Sequence, residues 1–173
     1  MGEIDCSKQA FEFLFYEVIK YFTNQTKNVC FKFHFIAVQL SDGHATAMHL
    51  IENMGYRIGQ RYIEKMTRNL PRFTSEIDIV KYICRIYWPH LFHKAIDSLK
   101  TNNADVYVLL DSAFPFLTRI EPSQQYNSNI LAFACGLLRG ALTSLGVNCI
   151  VNAEISHVPS CKFVCFSLIK FFL

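Results

Sequence analysis

Three residues near the end of the chain have side chains of the kinds that bind zinc. His157 lies four positions before Cys161, and Cys165 follows after four more. Zinc takes imidazole nitrogens and thiolates as ligands in a tetrahedral arrangement. However, the local pattern predicts extended strands, in which four residues span about 13 Å, too far for two ligands of one ion. Only a bend at Pro159 would bring them together, so we expect no metal site and no cofactor.

A second candidate is a pair of histidines, His90 and His93, whose spacing could place both on one helical face. No third ligand lies at a recognisable distance along the chain, so ordinary surface or interface histidines are expected. The chain also lacks the G-x-S-x-G nucleophile elbow, the G-x-x-x-x-G-K-[ST] phosphate loop and the G-x-G-x-x-G turn. Acidic residues are scattered singly, and pairs formed by folding would be invisible at this level. We therefore expect no catalytic residues.

The chain does contain glycines at helical spacing inside an apolar run. Residues 131–146 have the sequence LAFACGLLRGALTSLG, in which Gly136 and Gly140 are four positions apart. A membrane span needs about 20 consecutive apolar residues. Arg139, near the centre of this run, would cost roughly 2.5–3.5 kcal/mol in a bilayer. We therefore predict a buried helix of a water-soluble domain over about 125–145.

A second helix, predicted over about 44–69, repeats the same glycine spacing with Gly55 and Gly59. Glycine inside a helix costs about 0.5–1 kcal/mol relative to alanine, so two pairs suggest that backbones approach closely there. We predict that each glycine pair faces a closely packed neighbouring backbone. The buried stripe of the second helix is expected to contain Leu50, Ile51, Met54, Ile58, Tyr62 and Met66.

The remaining pattern predicts a two-layer α+β fold, with an antiparallel sheet packed against about four helices in a single domain over 1–173. An amphipathic helix is predicted over about 7–22. Another begins at a cap formed by Thr74 or Ser75, carries Ile79, Ile83, Ile86 and Tyr87 toward Trp88, and ends at Pro89. Alternating or β-branched segments predict strands at 95–102, 106–112, 114–120, 149–158 and 161–169.

Composition limits the possible classes of protein. With 173 residues, 51% of them hydrophobic, the chain can form one large core and does not have the composition of a disordered protein. A net charge of +3 is far from the concentrated positive field of a nucleic-acid binder. The first residues do not resemble a signal peptide, so we expect a cytosolic protein with reduced cysteines. A myristoylation signal would need Ser or Thr where Cys6 stands, so lipidation of Gly2 is not expected.

One face of the helix over 44–69 gathers four cations: Arg57, Arg61, Lys65 and Arg68. Such a group is usually a solvated helix surface. The alternative is a docking strip for an acidic partner or an anionic membrane surface.

Four segments of the chain carry a family resemblance. They are residues 53–60 (NMGYRIGQ), 78–84 (DIVKYIC), 131–140 (LAFACGLLRG) and 151–155 (VNAEI). In this order they resemble the subunit 6 group of the transport protein particle (TRAPP) subunit family, over about 50–163. Four ordered blocks are far more specific than the glycine spacing alone.

The resemblance implies a small α/β adaptor that has no catalytic residues of its own. Such a subunit pairs with TRAPP subunit 3, a structural relative, in a vesicle-tethering complex that exchanges guanine nucleotide on Rab-type GTPases. It would be cytoplasmic, bound peripherally through the complex to endoplasmic reticulum and Golgi membranes, and it would serve transport from the endoplasmic reticulum to the Golgi and within the Golgi. No nucleic acid is expected among its partners.

For the contact with subunit 3 we select apolar residues of the first two helices, although several of them could instead belong to the internal core. They are Phe11, Leu14, Phe15, Val18, Ile51 and Ile58.

Two regions depart from the family pattern. Residues 29–43 lengthen a connection between helices, and the terminal CFSLIKFFL is more apolar than expected. They are either lineage-specific additions or extra sequence from a translated gene model. Residues 67–75 contain no cysteine to match the acylated cysteine of subunit 3, so we do not infer a lipid channel in this chain. A lipid or acyl-chain carrier with an apolar core cavity is the alternative function.

Overall fold

A computed structural model describes residue 17 and residues 43–102, 104–118 and 124–168 of the protein. Apart from Glu17, the predicted helix over 7–22 lies outside these residues, as does nearly all of the segment 29–43. The elements, in chain order, are α1 (Gly43–Thr67), α2 (Glu76–Tyr82), α3 (Trp88–Phe92), β1 (Ser98–Thr101), β2 (Val106–Asp111), α4 (Pro115–Thr118), α5 (Gln124–Ser144), β3 (Cys149–His157) and β4 (Ser160–Ser167).

The two long helices, α1 and α5, pack against each other. Their bounds differ from the predicted ones by one or two residues. After α5, Gly146 has a φ of 93°, a left-handed conformation that favours glycine. Its N–H donates to the Thr143 carbonyl at 3.0 Å, and the N–H of Val147 donates to the Leu142 carbonyl at 2.9 Å. No helix in the described part of the chain is long and apolar enough to cross a membrane.

The helix α2 begins at Ser75, whose hydroxyl accepts the Asp78 N–H at 3.3 Å, as the capping pattern predicts. A π-helical turn over Ile83–Tyr87 then joins α2 to α3. The prediction that Pro89 ends the helix was wrong. Pro89 lies in the first turn of α3, where its missing N–H costs little, and α3 continues to Phe92.

The four strands form one antiparallel sheet in the order β1-β2-β4-β3. The predicted strand over 114–120 was wrong, because residues 115–118 form the short helix α4. Two apolar residues there, Phe116 and Leu117, are both buried by that helical turn, whereas a strand would direct adjacent side chains to opposite faces. The α+β prediction itself is confirmed.

The core lies between the helices and one face of the sheet. Alternate residues of β2 and β4 point into it, among them Leu109, Phe163 and Cys165, and α5 packs against β3. Trp88 is fully buried, and its ring centroid lies 5.1 Å from that of Phe163 and 4.3 Å from that of Phe92. Aromatic rings thus fill the space where α3, α4 and the sheet meet.

Candidate functional site

The four glycines lie together where α1 meets α5, and we call this contact the glycine crossing. A methyl carbon built on Gly55 would overlap the Phe133 carbonyl oxygen, and one on Gly59 would overlap the Leu137 carbonyl oxygen. Because the obstacle in each case is backbone, it has no rotamer with which to move aside. Any side chain at these positions would force the helices apart.

The overlap is reciprocal from the other helix. A methyl carbon on Gly136 would overlap the carbonyl oxygen of Glu52, and one on Gly140 would overlap that of Tyr56. Each helix therefore places its glycines against the main chain of the other. The spacing of four positions keeps both glycines of each helix on the contacting face.

Polar and aromatic side chains border the glycine crossing. The Arg139 guanidinium lies 3.0 Å from the Glu52 carboxylate and 5.0 Å from the centroid of the Tyr56 ring. Tyr87 donates its hydroxyl proton to the Leu137 carbonyl at 3.3 Å. Arg139, the residue that argues against a membrane helix, thus links α5 to α1 by an ion pair and a cation–π contact.

The structure divides the predicted contact residues for subunit 3. Ile51 has no exposed surface and belongs to the core, so its selection as an interface residue was wrong: it lies on the inward side of α1. Ile58 is half-buried and packs against the core. The other four, Phe11, Leu14, Phe15 and Val18, lie outside the described residues.

Apolar residues at every fourth position also leave α1 with an apolar flank. Leu50, predicted to be buried, is 50% exposed, while Met54, Ile58 and Tyr62 are half-buried. The reason is rotation of the helix: the glycines, with Ile51 and Ile63, take the inward side, so this row lies at its edge. We call these four residues the apolar row.

The four predicted cations, Arg57, Arg61, Lys65 and Arg68, are all exposed, and we call them the cationic row. Arg61, 86% exposed, lies 3.5 Å from Glu64. An ion pair as exposed as this contributes little to stability.

A groove follows directly after the cationic row, between the end of α1 and the start of α2. Its volume is about 350 Å³. Phe73 and Tyr82 form part of its wall, with ring centroids 5.2 Å apart. We call it the Leu70 groove; its lining residues are Leu70, Pro71, Arg72, Phe73, Thr74, Asp78 and Tyr82.

The residues that suggested a metal site are not brought together as ligands. His157 is exposed at the end of β3, whereas Cys161 and Cys165 are buried on the core face of β4. No group of three or more His, Cys, Asp or Glu residues in the described part of the chain could hold a metal ion. His90 and His93 also have different surroundings. Nδ1 of His90 lies 3.0 Å from the Tyr62 hydroxyl, whereas His93 ends α3 in the left-handed conformation.

Burial makes the described cysteines poor nucleophiles. It raises the pKa of Cys84, Cys135 and Cys149 to about 12 and raises that of Cys161 and Cys165 as well. A thiolate is the reactive form, so these thiols stay protonated and inert near neutral pH.

A buried carboxylate network was not found from the sequence. Asp111 is fully buried and accepts hydrogen bonds from Trp88 Nε1 at 3.1 Å and from Lys94 Nζ at 2.6 Å. Lys94 also donates to Asp97 at 2.5 Å, and the backbone and hydroxyl of Ser112 each donate to the same carboxylate at 2.7 Å. We call this group the acidic junction. It ties α3 to the ends of β1 and β2.

The acidic junction has the features of a structural link rather than of a reacting site. The hydrogen bonds from Lys94 and then Ser112 lower the pKa of Asp97 to about 2. The Asp111 oxygens each accept at least one hydrogen bond, including one from the Ala113 N–H at 3.1 Å. Trp88 and Asp111 are 23 positions apart, and no sequence signal pairs them.

Comparisons with known proteins give consistent results. The family model described as "Transport protein particle (TRAPP) component" matches residues 11–171. Trafficking protein particle complex subunit 6b of Danio rerio is 48% identical over 116 residues, which cover 65% of this chain and 74% of that protein. The human subunit 6A is 40% identical over 124 residues, covering 70% and 78% of the two chains.

A solved structure has a similar fold. It is the trafficking protein particle complex subunit 3 of Naegleria fowleri covalently bound to palmitic acid, with a TM-score of 0.56 and 15% identity. The match covers 87% of this chain and 99% of that one. At this level of identity the similarity concerns the fold alone.

Proposed function

The chain belongs to the TRAPP component family, in its subunit 6 group, and we propose that it is a non-catalytic scaffold subunit of a TRAPP vesicle-tethering complex. In this proposal it pairs with subunit 3. The assembled complex, bound peripherally to endoplasmic reticulum and Golgi membranes, then exchanges nucleotide on a Rab-type GTPase. The chain itself supplies no group that touches the nucleotide.

The observation that supports pairing is the apolar row of α1. Leu50 is 50% exposed and stands one turn before half-buried Met54, which is followed at the same spacing by Ile58 and Tyr62. One apolar side chain on a surface needs no explanation, but a continuous row along a helix favours contact with another protein. A partner helix lying along this row would cover all four side chains.

The glycine crossing supports the scaffold part of the proposal. It fixes α1 rigidly on α5, so the apolar row is presented in one orientation and little order has to be gained on binding. The other predicted contact residues, Phe11, Leu14, Phe15 and Val18, lie outside the described residues and stay part of the proposal through the sequence pattern alone.

The test is a binding measurement with purified subunit 3. The double variant Leu50→Asp and Ile58→Asp places two charges in the apolar row, and we expect it to weaken the affinity at least about a hundredfold, because hot-spot residues each contribute roughly 2 kcal/mol or more. The matched control is Ile150→Asp with Phe166→Asp. That pair is also apolar and exposed, at 49% and 41%, but it lies on the sheet.

Two results would reject this interface. One is unchanged affinity in a folded apolar-row variant, with folding checked by circular dichroism. The other is an equal loss of affinity in the sheet control. The exchange part is tested separately, by measuring nucleotide release from Rab-type GTPases with a reconstituted complex: we expect activity from the complex and none from the isolated chain.

A further inference from the structure

The cationic row and the Leu70 groove adjoin each other, and together they have a chemistry that differs from that of the apolar row. Arg68, the last member of the row, is separated from Leu70, the first residue of the groove, by a single position. The N–H of Leu70 donates to the Thr67 carbonyl at 2.9 Å, so the chain turns directly from the helix end into the groove. A line of positive charge therefore leads to an apolar depression.

The geometry points to one kind of occupant. We infer that the cationic row and the Leu70 groove form a docking site for an extended acidic segment of a partner protein, whose one apolar anchor side chain enters the groove. The inference is tested on the isolated chain and does not depend on the pairing with subunit 3.

The spacing of the charges supports an extended segment. Arg57, Arg61 and Lys65 follow one another at every fourth position of α1, which corresponds to a rise of about 6 Å per step. In an extended peptide, alternate side chains on one face are about 6.6 Å apart. Acidic residues at every second position of such a peptide would therefore meet successive cations of the row.

The groove supports an apolar anchor rather than another acidic residue. Leu70 is 45% exposed, and with the rings of Phe73 and Tyr82 it offers apolar surface to an incoming side chain. Asp78 also lines the groove, and its carboxylate accepts hydrogen bonds from the hydroxyls of Ser75 at 2.6 Å and Thr74 at 3.3 Å. These hydrogen bonds lower the pKa of Asp78, so its carboxylate is ionised, and it lines the groove together with the cation of Arg72.

The same features favour a peptide over an anionic membrane. The cations form a single line, which matches a chain better than a plane of lipid headgroups. A concave groove also accepts one side chain, whereas membrane contact calls for protruding apolar groups.

The test uses the full chain and fluorescently labelled peptides in a fluorescence anisotropy titration. The probe peptide has Asp at alternate positions, Ser between them and a Phe at one end; a second version has the Phe at the other end. Reference peptides replace Asp with Asn, replace Phe with Ser, or group the same Asp residues together. We expect the alternating peptide to bind in one of its two directions, and each reference peptide to bind at least about threefold more weakly.

Matched variants locate the site. Arg57→Glu with Lys65→Glu should weaken binding at least about tenfold, since two attractions become repulsions. Arg85→Glu with Lys100→Glu changes the net charge equally at exposed residues outside the row and groove, and should change binding by less than about twofold. Leu70→Ser should weaken only the peptides that carry Phe. These are surface substitutions, so circular dichroism should show a native fold.

Three outcomes would overturn the inference. The first is equal weakening by both charge-reversal pairs, which would mean non-specific attraction. The second is binding of the Asn peptide as tightly as the Asp peptide. The third is no peptide binding together with row-dependent binding to phosphatidylserine-containing vesicles, which would assign the row to a membrane.

Discussion

The glycine crossing and the acidic junction both hold a helix in place, but they use different parts of the chain. At the crossing, main chain meets main chain through four glycines. At the junction, Trp88, Lys94 and two aspartates join α3 to the sheet through side-chain hydrogen bonds. The crossing requires glycine, which has no side-chain carbon, whereas the junction requires charged side chains. They should therefore fail under different changes.

The largest effect is expected from Gly136→Ala at the glycine crossing. Alanine would normally gain about 1 kcal/mol over glycine in a helix. Here the added methyl overlaps the Glu52 carbonyl oxygen and lies near the Tyr56 backbone nitrogen, at 2.9 Å, so overpacking outweighs the propensity. We expect a net loss of about 3 kcal/mol in the free energy of unfolding, measured by urea denaturation. Ser144→Ala, an exposed site on the same helix, serves as the control and should change stability by less than about 0.5 kcal/mol. If Gly136→Ala were more stable than wild type, the close approach of the α1 and α5 backbones would be contradicted.

A somewhat smaller loss, about 2 kcal/mol, is expected from Asp111→Asn at the acidic junction. The substitution keeps the shape but removes the charge that faces Lys94 in a buried position. Glu154→Gln is the matched control, because Glu154 pairs with Lys162 at 2.7 Å but is 65% exposed. The control should cost less than about 0.5 kcal/mol by the same denaturation measurement. Equal losses in the two variants would mean that burial does not matter here.

The two contacts should also differ in their response to acid. The folded pKa of Asp97 is about 2, below its value of about 3.9 in the unfolded chain. Because folding lowers this pKa, the ionised carboxylate stabilises the folded state. The stabilisation is complete above about pH 4 and is lost as the pH falls towards 2. We expect the stability difference between wild type and Asp97→Asn to shrink across that window. The difference for Gly136→Ala should stay constant. If the stability difference between wild type and Asp97→Asn did not change with pH, the charge of Asp97 would not be its cause.

The smallest effect is local opening, which the buried cysteines can report. Cys135 lies on α5 next to Gly136, and Cys161 is the cross-strand partner of Asp111. In folded variants, alkylation by iodoacetamide should rise more at Cys135 in Gly136→Ala and more at Cys161 in Asp111→Asn, as measured by peptide mass spectrometry. Equal changes at both thiols in both variants would indicate global unfolding instead.

The comparison also explains what was predictable from the sequence. The helices α1 and α5 and their glycine spacing are local patterns, so their bounds could be predicted to within two residues. The cap at Ser75 is local as well. The acidic junction joins residues from separate elements, and single acidic residues in a sequence carry no information about such a meeting.

The errors have similar causes. Leu50 was placed in the buried stripe because periodicity gives the phase of a helix only approximately, and the glycines take the inward position. Ile86 has the helical spacing of the buried Ile79 and Ile83 but is 47% exposed, because the π-helical turn over Ile83–Tyr87 shifts the phase of the helix. The segment 114–120 has strand-like composition, yet a short helix buries Phe116 and Leu117 together.

The reciprocal glycine crossing has a consequence for genetics. Damage at a packed side chain can be repaired by shrinking a neighbour, but at the crossing each obstacle is a carbonyl oxygen that every amino acid possesses. A selection for second-site suppressors of Gly136→Ala should therefore yield reversion to glycine or compensation elsewhere in the molecule. It should not yield replacements at Glu52 or Tyr56, whose main chain would be unchanged by any substitution.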